Sequence, residues 1–148
     1  MHTMTIQQGR SKGPNSNIIE LLKQHDILPT AQRVQIAETL FSKMQHVSAE
    51  QLLEQVTARG YSISRATVYN TLSLFADKGL VNPVVIDADR LLYDTNNKPH
   101  FHFYNEDTGE LMDIDADAIE IECIPGLPEN TVLSNVDIVL RLHQVDVH

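Results

Sequence analysis

The chain has 148 residues, 42% of them hydrophobic and 21% charged, which suffices for one domain or two small ones with a buried core. A single cysteine, Cys123, excludes an intramolecular disulfide and a zinc site built from CxxC pairs. No apolar run approaches the ~18 residues that a membrane span needs. The N-terminus carries no apolar signal stretch, and the glycine-rich nucleotide-binding motifs are absent. We therefore expect a cytoplasmic protein without a membrane partner.

The formal net charge of −9 is distributed unevenly along the chain. Residues 1–90 contain nine Lys and Arg against eight Asp and Glu, a balance of +1, whereas residues 91–148 contain two against twelve, a balance of −10. This asymmetry predicts two parts with different roles. A basic face on the first part could bind nucleic acid even though the whole chain is acidic. The alternative is two solvated surfaces of different sign.

The first part begins with three predicted helices. Apolar residues at helical spacing predict a helix over Asn17–Asp26, and Thr30 is a suitable N-cap for a second one. Ser48 and Gln51 form a capping box that begins the third, in which each side chain accepts from the other residue's backbone N–H.

A fourth helix and a hairpin follow. Ser64 caps a predicted helix over Arg65–Lys78, after which the apolar period changes. Short apolar runs at Leu80–Ile86 and Arg90–Asp94 flank a turn and predict a β-hairpin. Four helices and a hairpin are the order of a winged helix-turn-helix, with the fourth helix in the recognition position.

The second part is predicted to be a small α/β unit. We expect strands at Phe101–Tyr104, Glu110–Ile114 and Val132–Leu142, with a short helix at Ala116–Cys123. The last strand is too apolar for a lone exposed edge, which favours pairing in a homodimer. The fold class is therefore α+β, with a winged-helix domain at 1–94, a hinge at 95–99 and a dimerisation and metal-sensing domain at 100–148.

The fourth helix carries polar side chains suited to DNA. Its exposed positions are Arg65, Thr67, Tyr69, Asn70 and Ser73. Arginine reads guanine edges, asparagine reads adenine, and tyrosine and threonine reach phosphates or a thymine methyl group. The alternative is an ordinary polar helix face.

Histidines and aspartates gather around the predicted hinge. Strand alternation places His100 and His102 on one side, with Asp94 at the end of the hairpin and Asp113 on the paired strand. Together with His46, they form a nitrogen and oxygen donor set for Fe²⁺, Mn²⁺, Zn²⁺ or Co²⁺. A surface histidine pair without metal is the alternative. A non-haem iron enzyme is another, although no feature predicts a substrate cleft.

Six short motifs carry a resemblance to a known family. They are L-P-T-A-Q-R at 28–33, H-V-S-A-E at 46–50, S-R-A-T-V-Y-N-T-L at 64–72, Y-D at 93–94, H-x-H at 100–102 and Asp113. In these motifs, over roughly residues 15–142, the chain resembles the ferric uptake regulator family. The resemblance implies a winged-helix domain hinged to an α/β dimerisation domain, with a metal that sets the angle between the two DNA-binding arms of a homodimer.

The resemblance also implies the ligands of the regulatory metal. They would be His46, Asp94, His100, His102 and Asp113. Two aspartates among the ligands are typical of the peroxide-sensing branch, so Fe²⁺ or Mn²⁺ is expected, with Zn²⁺ a further ion in vitro. In that branch, the positions of His46 and His100 are the ones that peroxide oxidises.

On the DNA side, the resemblance matches Arg65 and Tyr69 to positions that contact bases and backbone. It matches Arg33 to an arginine that contacts phosphate. With Thr67 and Asn70 these residues complete the expected DNA-binding set, and the expected partner is double-stranded DNA with an AT-rich palindromic operator.

The chain departs from the family pattern in its zinc ligands. Asn105 and Thr108 occupy the first CxxC and no second pair exists, so no structural Cys₄ zinc is expected. The second domain must then be held by apolar packing of Phe103, Leu111, Ile114, Val132, Val136 and Ile138. Zinc-less relatives include haem-responsive iron response regulators, which the segment Asn135–Leu142 resembles. A Cys-Pro haem motif is absent, and Phe101 stands where those relatives have a histidine.

These features predict a metal-dependent transcriptional regulator rather than an enzyme. We expect a repressor that senses peroxide, iron status or both. A haem-responsive regulator is the main alternative, and a metal-independent interaction protein is a more remote one. A DNA mobility shift with and without Mn²⁺ separates these functions.

Overall fold

The computed structural model describes residues 14–146, which form two compact units divided between Asn97 and Lys98. The first unit contains α1 (Pro14–Gln24), α2 (Ala31–Leu40), β1 (His46–Val47), α3 (Ala49–Ala58), α4 (Arg65–Asp77), β2 (Asn82–Asp87) and β3 (Arg90–Asp94). The second contains β4 (His100–Asn105), β5 (Leu111–Asp115), a 3₁₀ turn (Ala116–Ala118) and β6 (Val139–Leu142). The predicted α+β class is confirmed. Among residues 14–146, no helix is both long and apolar enough to cross a bilayer.

Three helices begin at the predicted caps. Thr30 and Ser64 accept hydrogen bonds from backbone N–H groups in the first turns of α2 and α4. The capping box of α3 is complete, because Gln51 N–H donates to Ser48 Oγ at 3.1 Å and Ser48 N–H donates to Gln51 Oε1 at 2.9 Å. These contacts fix the residue at which each helix starts.

The helices of the first unit enclose its hydrophobic core. The fully buried side chains include Leu22, Ile36, Leu40, Leu52, Val56, Val68, Leu72 and Phe75. Each buried side chain of this size contributes roughly 1.5–3 kcal/mol relative to exposure. Gly79 follows α4 with φ +77°, a left-handed conformation that lets the chain turn into β2.

A three-stranded sheet completes the first unit, in the order β1-β3-β2. β2 and β3 form the predicted antiparallel hairpin, with an irregularity between Val85 and Asp87. β1 pairs antiparallel with β3, so that His46 lies opposite Asp94. β1 was not predicted from the sequence, because a strand of two residues shows no alternation.

The second unit is a sheet in the order β5-β4-β6. β5 is antiparallel to β4, and β6 is parallel to it. Tyr104, Leu111 and Ile114 are buried, as is His102. Packing of Leu111 and Ile114 follows the sequence prediction.

Two predictions for the second unit were wrong in extent. The helix expected over Ala116–Cys123 is reduced to the 3₁₀ turn, and residues 119–138 have no regular secondary structure. The strand expected over Val132–Leu142 is confined to β6, and Val132 is 89% exposed, so it does not pack as predicted. β-branched residues favour strands only where a partner strand is available, and here only the end of the segment pairs with β4.

Candidate metal centre and nucleic-acid interface

A histidine and an aspartate face each other in the sheet of the first unit. His46 and Asp94 are partners across β1 and β3, and His46 Nε2 lies 3.4 Å from Asp94 Oδ2. The other oxygen, Oδ1, accepts the backbone N–H of Asn96 at 2.9 Å. This hydrogen bond orients the carboxylate, and the Asp94 side chain is only 1% exposed.

Neutral hydrogen bonds hold the two strands together next to this pair. Gln45 N–H donates to Thr95 Oγ1 at 3.0 Å, and Thr95 N–H donates to the Gln45 carbonyl at 3.2 Å. The Gln45 side chain donates to the Leu40 carbonyl at 2.8 Å and accepts from Gln55 at 2.9 Å. The ends of β1 and β3 are thereby tied to α2 and α3. Sequence reasoning missed this network, because glutamine and threonine are common on any polar surface.

A second set of donors lies in the second unit. His102 is the cross-strand partner of Asp113, and His100 lies two residues earlier on the same strand. Both imidazoles place Nε2 at 3.5 Å from Asp113 Oδ1, and their ring centroids are 4.6 Å apart. The His100 ring also contacts the Lys98 carbonyl through Nδ1, which fixes its orientation. Strand alternation therefore predicted the shared side of the two imidazoles correctly.

The donors in both units fit a divalent transition-metal ion. Nitrogen and oxygen ligands each lie ~2.1 Å from such an ion, and two ligands at a roughly tetrahedral angle are then ~3.4 Å apart. The observed separations of 3.4 and 3.5 Å match this spacing and exceed the ~2.7–3.2 Å of an ordinary N–H···O hydrogen bond. A carboxylate as buried as that of Asp94 also needs a compensating charge.

The N-terminal half of α4 presents the side chains predicted to contact DNA. Arg65, Tyr69 and Asn70 are exposed. Thr67 is half-buried, and its hydroxyl accepts a hydrogen bond from Ser64 Oγ at 2.9 Å. Arg65, Tyr69 and Asn70 are therefore open to a partner, whereas Thr67 is partly committed to the helix start.

Arg33 borders a groove of about 430 Å³ between α2 and α4. The lining residues are Thr30, Gln32, Arg33, Thr67, Asn70, Thr71 and Leu74. Arg33 Nη1 donates to the Leu28 carbonyl at 3.0 Å, which holds the guanidinium beside this groove. Three of the five predicted DNA-contact residues thus line one surface groove.

Glu50 is a residue of this surface that sequence reasoning missed. Arg65 Nη1 and Tyr69 Oη both donate to Glu50 Oε2, the latter at 3.2 Å. The hydrogen bond from Arg65 holds the pKa of the Glu50 carboxyl below its ordinary value, and the same contact raises the pKa of Arg65. The sequence signals were its place at the end of the H-V-S-A-E motif and an acidic residue in the first turn of α3, which is usually explained by the helix dipole.

The sequence profile of the ferric uptake regulator family matches residues 24–141. The chain belongs to this family. Its members are transcription regulators and not enzymes, which excludes the non-haem iron enzyme considered above. The predicted resemblance is confirmed.

Similar proteins of this family include the peroxide-responsive repressor PerR of Staphylococcus aureus, which is 32% identical over 95 residues. The match covers 64% of each chain, so the present chain spans less than two thirds of the length of that relative. The Vibrio cholerae ferric uptake regulator is 26% identical with a TM-score of 0.67, covering 85% of this chain and 98% of the other. The Pseudomonas aeruginosa regulator, solved with manganese, is 25% identical with a TM-score of 0.66, covering 84% and 96%.

Proposed function

We propose that this regulator is a DNA-binding repressor controlled by Fe²⁺ or Mn²⁺. The observation that carries the proposal is a cross-strand histidine–aspartate pair in each unit, His46 with Asp94 and His102 with Asp113. The proposed ligands are His46, Asp94, His100, His102 and Asp113. Their nitrogen and oxygen atoms are the donors that these ions prefer among protein side chains.

The five proposed ligands are divided between the two units. The first unit offers one imidazole and one carboxylate, and the second offers two imidazoles and one carboxylate. Neither set alone supplies the four protein ligands of a closed tetrahedral site, and the two sets together supply five. In this proposal, an ion that takes ligands from both units binds one conformation of the chain more tightly than the others. This difference in affinity couples metal binding to DNA binding.

On the DNA side we propose that α4 enters the major groove of an AT-rich palindromic operator in the cytoplasm. Arg65, Tyr69 and Asn70 would reach bases and nearby backbone, with Thr67 beside them, and Arg33 would contact phosphate. The exposure of Arg65, Tyr69 and Asn70 supports this assignment. The groove that Arg33 and Thr67 both line supports it as well.

We also propose a homodimer through the second unit. Register places Phe103 of β4 between Met112 of β5 and Leu140 of β6, on one sheet face. Met112 and Leu140 are exposed, and so are Ile124 and Leu127 in the segment after β5. Covering these side chains with a second copy removes apolar surface from water and supplies two arms for a palindrome.

The signal that we favour is peroxide, because the PerR relative from Staphylococcus aureus is named a peroxide-responsive repressor. Bound Fe²⁺ would donate an electron to peroxide, whereas Mn²⁺ in the same site does not do so readily. His46 and His100 are the proposed positions of oxidation. Peroxide chemistry at a thiol is a poorer explanation, since Cys123 is the chain's single cysteine and stands outside both donor sets.

The decisive test measures DNA binding with and without metal. Metal-free protein, protein with Mn²⁺ and the variant His46→Ala would each be used to select from a random-sequence duplex pool. We expect enrichment only with Mn²⁺ and only for intact ligands, whereas His143→Ala, which changes an exposed histidine outside both sets, should behave as wild type. Enrichment that is independent of Mn²⁺ would contradict the proposal. Release of the selected duplex from the Fe²⁺ form by haem but not by peroxide would favour the haem-responsive alternative.

A further inference from the structure

Two of the side chains proposed to contact DNA converge on one carboxylate oxygen. Arg65 is the first residue of α4, and Tyr69 lies four residues later on the same helix face. Both donate to Oε2 of Glu50, which stands in the first turn of α3. The Glu50 and Arg65 side chains are 47% and 61% exposed, so this contact lies on the surface rather than in the core.

The fold does not need this contact. An exposed ion pair adds little to stability, because water and salt screen it. The start of α3 is already satisfied by the capping box of Ser48 and Gln51, and that of α4 by Ser64. The contact therefore calls for an explanation other than folding.

A carboxylate is also unfavourable on a surface that approaches phosphates. Removing it would strengthen binding to any duplex, since nucleic-acid affinity rises with each cation that is free to neutralise a phosphate. The compensating effect of Glu50 is to orient the side chains of Arg65 and Tyr69. A guanidinium has five N–H donors, and Arg65 directs Nη1 to Glu50, which leaves donors for the two-point contact with a guanine edge.

We propose that Glu50 is a positioning residue for sequence discrimination. It holds Arg65 and Tyr69 in one arrangement, so that they match a particular base pair instead of following the backbone of any DNA. This inference rests on the proposed DNA-binding function of α4. It predicts opposite effects on two quantities: loss of Glu50 tightens binding to unrelated DNA and reduces the preference for the operator.

The test uses the full chain with Mn²⁺ and a duplex that wild type enriches from a random-sequence pool. Affinity is measured by fluorescence anisotropy for this duplex and for a scrambled duplex of the same composition, over a range of salt concentrations. For Glu50→Gln we expect tighter binding to the scrambled duplex and a preference for the enriched duplex about tenfold lower, the worth of one well-placed base contact. When the selection is repeated with the variant, the enriched duplexes should no longer show a preferred base at the position that Arg65 contacts in the wild-type complex.

Two further variants show whether the effect is specific. Glu54→Gln removes an equal charge one turn along α3, where the side chain is also exposed, and should strengthen binding to both duplexes without changing their ratio. In a background that carries both Arg65→Gln and Tyr69→Phe, Glu50→Gln should change the preference no further, because Glu50 acts through these two side chains. Melting curves should be the same for all variants.

Each outcome decides between the two proposals. An unchanged preference in Glu50→Gln, or the same loss in Glu54→Gln, would overturn the role of Glu50 and leave DNA binding by α4 intact. Failure of wild type to enrich any duplex would overturn the proposed function, and the role of Glu50 with it.

Discussion

Asp94 is the residue at which burial and charge oppose each other most strongly, since its carboxylate is 1% exposed beside an imidazole. For Asp94→Asn we expect Mn²⁺ affinity to fall at least tenfold, because even partners that only orient a ligand are worth 10–100-fold. The metal-free variant should melt at or above the wild-type temperature, since a buried charge has been removed. Isothermal titration and melting curves measure both. Asp137→Asn, at an exposed aspartate, is the control, and unchanged Mn²⁺ affinity in Asp94→Asn would remove it from the ligand set.

Arg65 and Tyr69 are the side chains on which we expect DNA affinity to depend most. Arg65→Ala and Tyr69→Ala should each weaken binding to the enriched duplex by roughly 1–3 kcal/mol, the range for a base contact. Both side chains are exposed, so the melting temperature should not change. Anisotropy titrations give the affinities. Wild-type binding by both variants would mean that another surface contacts DNA.

For single residues, local sequence patterns predicted the placement of some of the proposed metal ligands. Strand alternation placed His100 and His102 on one side, because a period of two depends only on neighbouring residues. The facing of His46 and Asp94 depends on the pairing of a two-residue strand with a distant hairpin, which no local pattern encodes. Glu50 was missed for the same reason, since its contacts join two different helices.

Among the elements, α3 connects the donor pair of the first unit with the surface proposed to contact DNA. β1 ends at Val47, the cap Ser48 follows, and Glu50 stands in the first turn. Ser48→Ala removes the acceptor for Gln51 N–H and should lower the free energy of unfolding by about 1 kcal/mol. Urea denaturation measures this change. Ser62→Ala, an exposed serine outside the helices, should have no effect, and an equal loss there would show that the cap is not the cause.

Element boundaries followed the sequence closely where side chains satisfy the backbone locally. The starts of α2, α3 and α4 were predicted because threonine and serine caps act within three residues. The segment 119–138 was predicted poorly, because its apolar and β-branched residues indicate burial without indicating a partner. In the described chain most of those side chains are exposed, with Ile119, Val136 and Ile138 half-buried, which is what a subunit interface would leave open.

For the whole molecule we expect a dimer that depends on the exposed face of the second sheet. Leu140→Asp places a charge where a second copy would pack, so it should yield a monomer and abolish binding to a palindromic duplex. Light scattering gives the mass. Met44→Asp, at an exposed methionine of the first unit, should stay dimeric. A monomeric wild type at micromolar concentration would contradict the dimer.

The proposed response to peroxide also belongs to the whole molecule. We expect treatment of the Fe²⁺ form to add one oxygen atom at His46 or His100 and to release DNA, with neither effect in the Mn²⁺ form. Intact-mass and peptide spectrometry detect the addition, and His143 serves as an internal control. Release of DNA without oxidation of either histidine would exclude this signal.

The pairing of β1 with β3 has a consequence for when the chain can bind the proposed ion. Gln45 and Thr95, which lie next to the His46–Asp94 pair, are 50 positions apart, so their hydrogen bonds close a long loop in the first unit. Because closing such a loop costs entropy, we expect this pairing to form late in folding, and an emerging chain holds only half of the pair until residue 94 has been made. An ion that binds only after closure stabilises the closed chain and so lowers the population of open chains. The stabilisation is ~2.7 kcal/mol when the concentration of free ion is a hundred times its dissociation constant. Scarcity of the ion would then shorten the lifetime of the polypeptide as well as empty the operator, so that supply sets how much regulator the cell keeps.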